Sequence, residues 1–255
     1  MHRHVIMSDH VNICEMFSSI QGEGYLAGRR QIFIRFPRCN LTCRYCDTDP
    51  KIGDGCRVET NPGSAAFQHL PQPITLQKVL RILTDWITAL PDAHHSISIT
   101  GGEPLLSVDT LEMWLPQLRK LLPIHLETNG TMHVSLDQII QHIDYISMDF
   151  KLPSTSGCTE HLWDVHRFFL QTAYTRNVSV KVVIGSETTV DEINQVCKIV
   201  ELVDRTIPLF LQPLTLSNRH IGISAGHIMC LQEIASRRLP DVRVIPQMHI
   251  LLGAL

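Results

Sequence analysis

Charge of either sign is sparse in this 255-residue sequence: Asp, Glu, Lys and Arg make up 18% and the formal net charge is −3. No basic field marks it for nucleic acid and no acidic run marks it as a disordered interactor, so a small molecule is the expected partner. No apolar stretch approaches the length of a membrane-spanning helix. Residues 1–10 carry polar side chains and histidine where a secretory signal would have its apolar core. A reducing cytoplasm is therefore the expected compartment, with no membrane partner. A further absence is local. Cys39, Cys43 and Cys46 stand in a Cys-x3-Cys-x2-Cys spacing with no fourth thiol or histidine in the same short loop. Structural zinc closes with four protein ligands, and ordinary iron-sulfur clusters with four cysteines. Three thiolates hold three irons of a cubane and leave the fourth open. The competing reading is a zinc site completed by a remote histidine.

Of the other cysteines, Cys14, Cys158, Cys197 and Cys230 sit in apolar patterns and read as small buried hydrophobes, and Cys56 as a bystander to the triplet. Most of the fourteen histidines are expected on the surface. The length suits a single domain over 1–255. Residues 31–36 alternate around Ile32, Phe33 and Ile34 and stop at Pro37, which reads as a strand running into the cysteine loop. Residues 49–73 hold Gly53, Gly55, Pro62, Gly63, Pro71 and Pro73 with little periodicity and read as an irregular insertion.

From Thr75, a plausible N-cap, a helical period runs to Leu90. Strand and helix then alternate: 96–100 with a helix through Leu122 that Pro116 should bend or shorten; 124–128 with 136–142; 145–150 with 160–173; 178–184 with 190–203; and 208–212 with 225–237. Residues 242–245 add a terminal strand. Such alternation predicts parallel strands joined by helical crossovers, an α/β fold with six βα units. Polar turns then follow successive strands on one face: 39–48, Gly101 to Pro104, Glu127 to Gly130, Ser147 to Lys151, and Gln212-Pro213. Loops at the C-terminal ends of barrel strands converge on the axis, where active sites of such folds sit.

The cysteine loop, with Tyr45 before its last thiol, and Gly101-Gly102-Glu103-Pro104 after the next strand together resemble the radical S-adenosylmethionine superfamily. The resemblance implies a partial (β/α)6 barrel, a 4Fe-4S cluster on Cys39, Cys43 and Cys46, and S-adenosylmethionine on the open iron. It places Tyr45 near the adenine and Gly102 and Glu103 at the methionine ammonium, with Glu127, Asn129, Ser147 and Lys151 for ribose and carboxylate contacts. A second set looks like the 7-carboxy-7-deazaguanine synthase family: residues 15–24 (EMFSSIQGEG), Arg35 four residues before Cys39, Asp47-Thr48, 147–151 (SMDFK) and 247–249 (QMH).

That likeness implies radical ring contraction of 6-carboxy-5,6,7,8-tetrahydropterin with loss of ammonia, for queuosine and related 7-deazapurines. It assigns Gln21, Gly22, Glu23, Arg35, Thr100, His249 and Leu255 to the substrate and Thr48 to Mg2+, with a C-terminal tail closing the site. A carboxylate suits the ring N-H and amino donors of a pterin. Arg35, on an otherwise apolar strand, suits a substrate carboxylate, with a salt bridge to a structural acid as the alternative. An external one-electron donor such as flavodoxin or ferredoxin and a homodimer are further implied. The rivals are a glycyl-radical enzyme activase, which shares the superfamily motifs, and a non-catalytic iron-sulfur or zinc scaffold.

Overall fold

The computed structural model describes residues 10–46, 53, 55–158 and 162–254. Its first strands are β1 (His10–Val11), β2 (Glu15–Ile20), β3 (Arg30–Phe36), β4 (Cys56–Glu59), β5 (Phe67–Leu70) and β6 (Ile74–Thr75). Next come α1 (Leu76–Ala89), β7 (Ser96–Gly101), α2 (Val108–Leu118), β8 (Ile124–Thr128), α3 (His133–Ile139) and β9 (Tyr145–Asp149). Then α4 (Pro153–Ser156), α5 (Trp163–Ala173), β10 (Asn177–Ile184), α6 (Val190–Val203), β11 (Leu209–Pro213), α7 (Ala225–Ser236), β12 (Val242–Val244) and α8 (Met248–Leu252) complete the chain.

A 10-stranded sheet runs in the order β12-β11-β10-β9-β8-β7-β3-β2-β4-β5. From β3 to β12 every neighbouring pair is parallel, as the alternation of strands and helices predicts. The sheet does not close on itself, which makes it a partial barrel. Thr75 caps α1 by accepting from the Lys78 amide at 3.2 Å, and Pro116 lies within α2, which ends at Leu118 before the predicted limit.

Residues 49–73 depart from the predicted irregularity. Cys56–Glu59 and Phe67–Leu70 form an antiparallel pair, and β4 joins the sheet beside β2, which itself runs antiparallel to β3. The glycines and prolines punctuate two short strands, and the pairing partner lies far back in the chain, so no local periodicity announces them. Cys56 is fully buried in the core, as a bystander should be, and so is Cys197. The other readings of isolated cysteines need correction: Cys14 and Cys158 are half-buried and Cys230 is exposed. Of the histidines, most of them expected on the surface, His94, His125 and His166 are buried.

The two faces of the parallel strands differ. Ile32, Ile34, Ile97, Ile99, Ile124, Leu126, Ile146, Met148, Val180, Val182, Leu209 and Leu211 pack with helix residues such as Leu83, Leu115, Leu136, Phe169 and Val196 in one buried core. Burying each such side chain is worth roughly 1.5–3 kcal/mol. The intervening positions carry Gln31, Arg35, Ser98, Thr100, His125, Glu127, Ser147, Asp149, Lys181 and Gln212. Successive strand residues point to opposite faces, so the fold has an apolar outer face under the helices and a polar inner one. No helix among the described residues is long and apolar enough to cross a membrane.

Candidate active site

The inner face opens into a cavity of about 1410 Å³ at the C-terminal ends of the strands. Its wall includes Cys39, Cys43, Tyr45 and Cys46, the glycines of the 101–104 turn, and the segment Gln21 to Gly24. The cysteine loop leaves β3 through Arg38, whose φ of 67° turns the chain sharply. It is braced from three directions. The Glu103 amide donates to the Arg38 carbonyl at 2.8 Å, and a Cβ on Gly102 would lie 2.0 Å from that oxygen, so only glycine fits. Asn129 Nδ2 donates to Asn40 Oδ1 at 2.8 Å and lies 3.8 Å from Cys39 Sγ. The Arg44 amide donates to the Ser156 carbonyl at 2.8 Å.

Glu103 departs from its expected post at the methionine ammonium. Its carboxylate does not line the cavity; it accepts from the amides of Leu105 and Asn129 and from Thr128 Oγ1, locking the turn after β7 to the turn after β8. Burial pushes it up to about 7 against those donors. Glu127 is the centre of a second lock: it accepts from Gln21 Nε2 at 2.6 Å, Ser98 Oγ at 2.7 Å and Thr100 Oγ1 at 3.0 Å. Gln21 is buried and also donates to Gln31 Oε1 while accepting from the Glu23 amide. Gln21, Thr100 and Glu127, all on the cavity wall, therefore brace one another. Ser147 Oγ, also on the wall, meets His125 Nε2 at 2.8 Å.

Charged side chains gather beside the cysteine loop. Lys151 Nζ lies 2.9 Å from Asp149 Oδ2 and 3.1 Å from the Tyr45 hydroxyl. Lys181 Nζ lies 3.0 Å from the same Asp149 oxygen and 2.5 Å from Glu23 Oε2. Burial would raise both carboxyls, but the lysines outweigh it: Asp149 is held at about 2 and Glu23 below its usual range. Asp149 Oδ1 and Gln212 Oε1 are buried with no hydrogen-bond partner among the described residues. An unmet buried acceptor is costly, and both residues line the cavity, so each is a seat for a ligand donor.

Arg35 sits on the wall with its Nε on Glu15 Oε1 at 2.8 Å, which is the structural ion pair weighed as its alternative. Its terminal nitrogens make no hydrogen bond among the described residues. Arg57 of β4 holds the other Glu15 oxygen at 3.2 Å, so two guanidinium groups share one carboxylate at this end of the cavity. The tail reaches the opposite rim: the Met248 amide donates to the Gly22 carbonyl at 3.0 Å, Gln247 Nε2 donates to Glu23 Oε1 at 3.0 Å, and His249 lines the cavity. Thr48 and Leu255 lie outside the described residues. Sequence reasoning missed Lys181, Arg57 and the approach of Cys158 to Cys43, where burial first and Cys158 after it push the Cys43 thiol up.

A family model described as the Radical SAM superfamily matches residues 33–198. The chain is 50% identical to the 7-carboxy-7-deazaguanine synthase of Geobacter sulfurreducens, over 94% of this chain and 96% of that one. The chain belongs to the 7-carboxy-7-deazaguanine synthase family. A second member, from Methanothermobacter thermautotrophicus, is 37% identical over 94% of this chain and 96% of its own. The crystal structure of QueE from Escherichia coli is 21% identical with a TM-score of 0.57, covering 94% of this chain and 95% of that one, and shares the fold.

The cofactors of this family of radical SAM enzymes are a 4Fe-4S cluster and S-adenosylmethionine, and the residues present fit them. Cys39, Cys43 and Cys46 all stand on the cavity wall. Among the described residues no three Cys, His, Asp or Glu side chains converge on one metal ion, as a tetrahedral zinc site would require. Three thiols on one short loop at the cavity wall are the donor set for three irons of a cubane with the fourth left open. The orphan acceptors on Asp149 and Gln212, with the Lys151 ammonium beside Tyr45, suit a ligand that carries hydroxyl and amino donors and a carboxylate.

Proposed function

We propose that the chain converts 6-carboxy-5,6,7,8-tetrahydropterin to 7-carboxy-7-deazaguanine with loss of ammonia, in queuosine and related 7-deazapurine biosynthesis. The observation that carries the reading is one cavity in which the three-thiol loop faces the Gln21 to Gly24 segment, with acceptors between them. Bound together, the reduced cluster and S-adenosylmethionine supply a carbon radical able to take hydrogen from an unactivated position. The chain's own residues bind and orient. Arg35, fixed by Glu15 through Nε, turns its remaining donors to the substrate carboxylate, where a planar fork suits two oxygens. Glu23 accepts from the ring N-H and amino groups, and Thr48 offers an oxygen to Mg2+.

Lys151 and Tyr45 face the S-adenosylmethionine side with Asn129 and Ser147, and the Gly102 carbonyl faces its ammonium. His249 and the tail to Leu255 close over the pterin. Holding the reacting carbon within contact distance is where such a cavity gains its rate. The cavity is walled by its own tail, which favours a small substrate over the glycyl loop of a partner protein. We further assign one domain, a homodimer, a cytoplasmic setting, and a flavodoxin or ferredoxin as electron donor.

The test is anaerobic reconstitution with iron and sulfide, followed by incubation with S-adenosylmethionine, Mg2+, dithionite and the carboxytetrahydropterin. Mass spectrometry should detect 7-carboxy-7-deazaguanine. Release of 5'-deoxyadenosine without the deazaguanine product would remove the substrate assignment and keep the radical chemistry.

A further inference from the structure

Lys181 is a cation on the polar inner face of β10, between the buried Val180 and Val182 on the opposite face. Its side chain is 13% exposed, and a buried ammonium persists only where acceptors meet its protons. Two carboxylates do so, and they come from different parts of the cavity. Asp149, at the end of β9, is shared with Lys151 on the thiol side. Glu23 belongs to the segment before β3 and takes two further donors on its other oxygen, Gln212 Nε2 and Gln247 Nε2, each at 3.0 Å. One ammonium thus joins the wall beside Tyr45 to the residue on which the tail rests.

Resting on the function proposed above, in which Glu23 meets the donor edge of the pterin, we propose that Lys181 is a positioning residue. Its ammonium, anchored on Asp149, holds the Glu23 carboxylate in place for that edge. The charge balance around Glu23 gives the inference a readout. Burial and the repulsion of Asp149 push Glu23 toward the protonated form, while Lys181, and to a smaller degree His249 of α8, push it the other way. Lys151 faces Asp149 from beyond, and Gln212 and Gln247, from β11 and the start of the tail, are uncharged. Without Lys181 only the neutral donors Gln212 and Gln247 and the weaker pull of His249 oppose the burial, and Glu23 takes up a proton at higher pH. A protonated Glu23 places a donor where the substrate also presents donors.

The experiment is anaerobic titration calorimetry of the carboxytetrahydropterin into the reconstituted holoenzyme with S-adenosylmethionine and no reductant, at pH 6, 7 and 8. Wild type, Lys181→Met, Lys181→Arg, Glu23→Gln and the Glu23→Gln/Lys181→Met double variant are compared. For Lys181→Met, the ratio of its dissociation constant to that of wild type should grow as pH falls, by up to about tenfold per pH unit below the raised Glu23 value. Lys181→Arg should restore a flat ratio. In the Glu23→Gln background, adding Lys181→Met should leave the ratio flat, because no proton remains to be taken up. A Lys181→Met ratio that stays constant with pH overturns the inference, since a merely structural lysine weakens binding equally at every pH. If wild type does not bind the pterin at all, the functional reading falls and the inference with it. If Lys181→Met fails to fold by circular dichroism, Lys181→Gln, which keeps a donor without the charge, is read in its place.

Discussion

Replacing Gly22 by alanine should open the tail without disturbing the barrel. A Cβ built there lies 2.1 Å from His249 Nδ1 and 2.8 Å from both His249 Cγ and the His249 backbone nitrogen. Rotation of the imidazole relieves the first two contacts. The third is with backbone, and reaching an ordinary separation of about 3.4 Å requires α8 to shift by roughly half an ångström. That shift strains the Met248 N-H to Gly22 carbonyl bond, 3.0 Å long, and draws Gln247 away from Glu23. Overpacking of this kind costs typically 1–3 kcal/mol. The tail has little buried apolar surface of its own, so undocking relieves the strain more cheaply than unfolding does.

The expected result is a rise in KM for the carboxytetrahydropterin of about tenfold, from about 1.4 kcal/mol, with iron content unchanged and Tm within a few degrees of wild type. Amide hydrogen exchange should show lost protection at Met248 and Ala254. His249→Ala added to Gly22→Ala should rescue only part of the effect, because the backbone clash remains. Unchanged protection at Met248 together with an unchanged KM would refute the reasoning.

Gly102→Ala should prevent cluster loading: its Cβ would press within 2.0 Å of the Arg38 carbonyl, displacing the loop that carries Cys39, and iron analysis after reconstitution reads the loss at unchanged far-ultraviolet circular dichroism. Arg35→Gln should weaken the carboxytetrahydropterin about tenfold or more by calorimetry, in line with roughly 1.5–3 kcal/mol for a charged hydrogen bond, and leave tetrahydropterin without the carboxylate unaffected. His166 accepts from the Lys151 amide at Nε2 and so donates from Nδ1 to the Gly130 carbonyl; burial pushes its pKa down to about 4. A group with a lowered folded-state value contributes stability above its unfolded value near 6.5 and loses it as pH falls through 4. Wild type should therefore lose about 3 kcal/mol from this residue across that window, read as a steeper fall in Tm than His166→Gln shows.

The cysteine loop was legible because its ligands are neighbours in sequence: a spacing is enough to bring three thiols to one short turn. The parallel strands were legible for a related reason, since each apolar run is followed by a helix of its own. What the sequence hid depends on partners that are distant. β4 and β5 are four-residue strands whose place is set by β2, some forty residues earlier, and glycine and proline between them mask the pairing. Cys158 meets Cys43 only because the chain after α4 folds back on Arg44, whose side chain would strike a Cβ at Gly157. Arg35 was legible as a guanidinium in need of a partner, but Glu15, which meets it across an antiparallel pair, was not legible as that partner.

Lys181 is a different case, because a signal for it was present. Ser98 and Thr100, His125 and Glu127, and Ser147 and Asp149 recur at alternate positions on successive parallel strands, and register carries that parity across the sheet. A fully covered parallel strand needs no such alternation. The repeated polar positions therefore marked a second, polar face, and Lys181, paired in register with Asp149, lies on it. A lone charge in an apolar run reads as a blemish when the strand is taken singly. Set beside the acid of its neighbour, it locates the inner wall of the cavity and the side of the sheet from which a ligand is held.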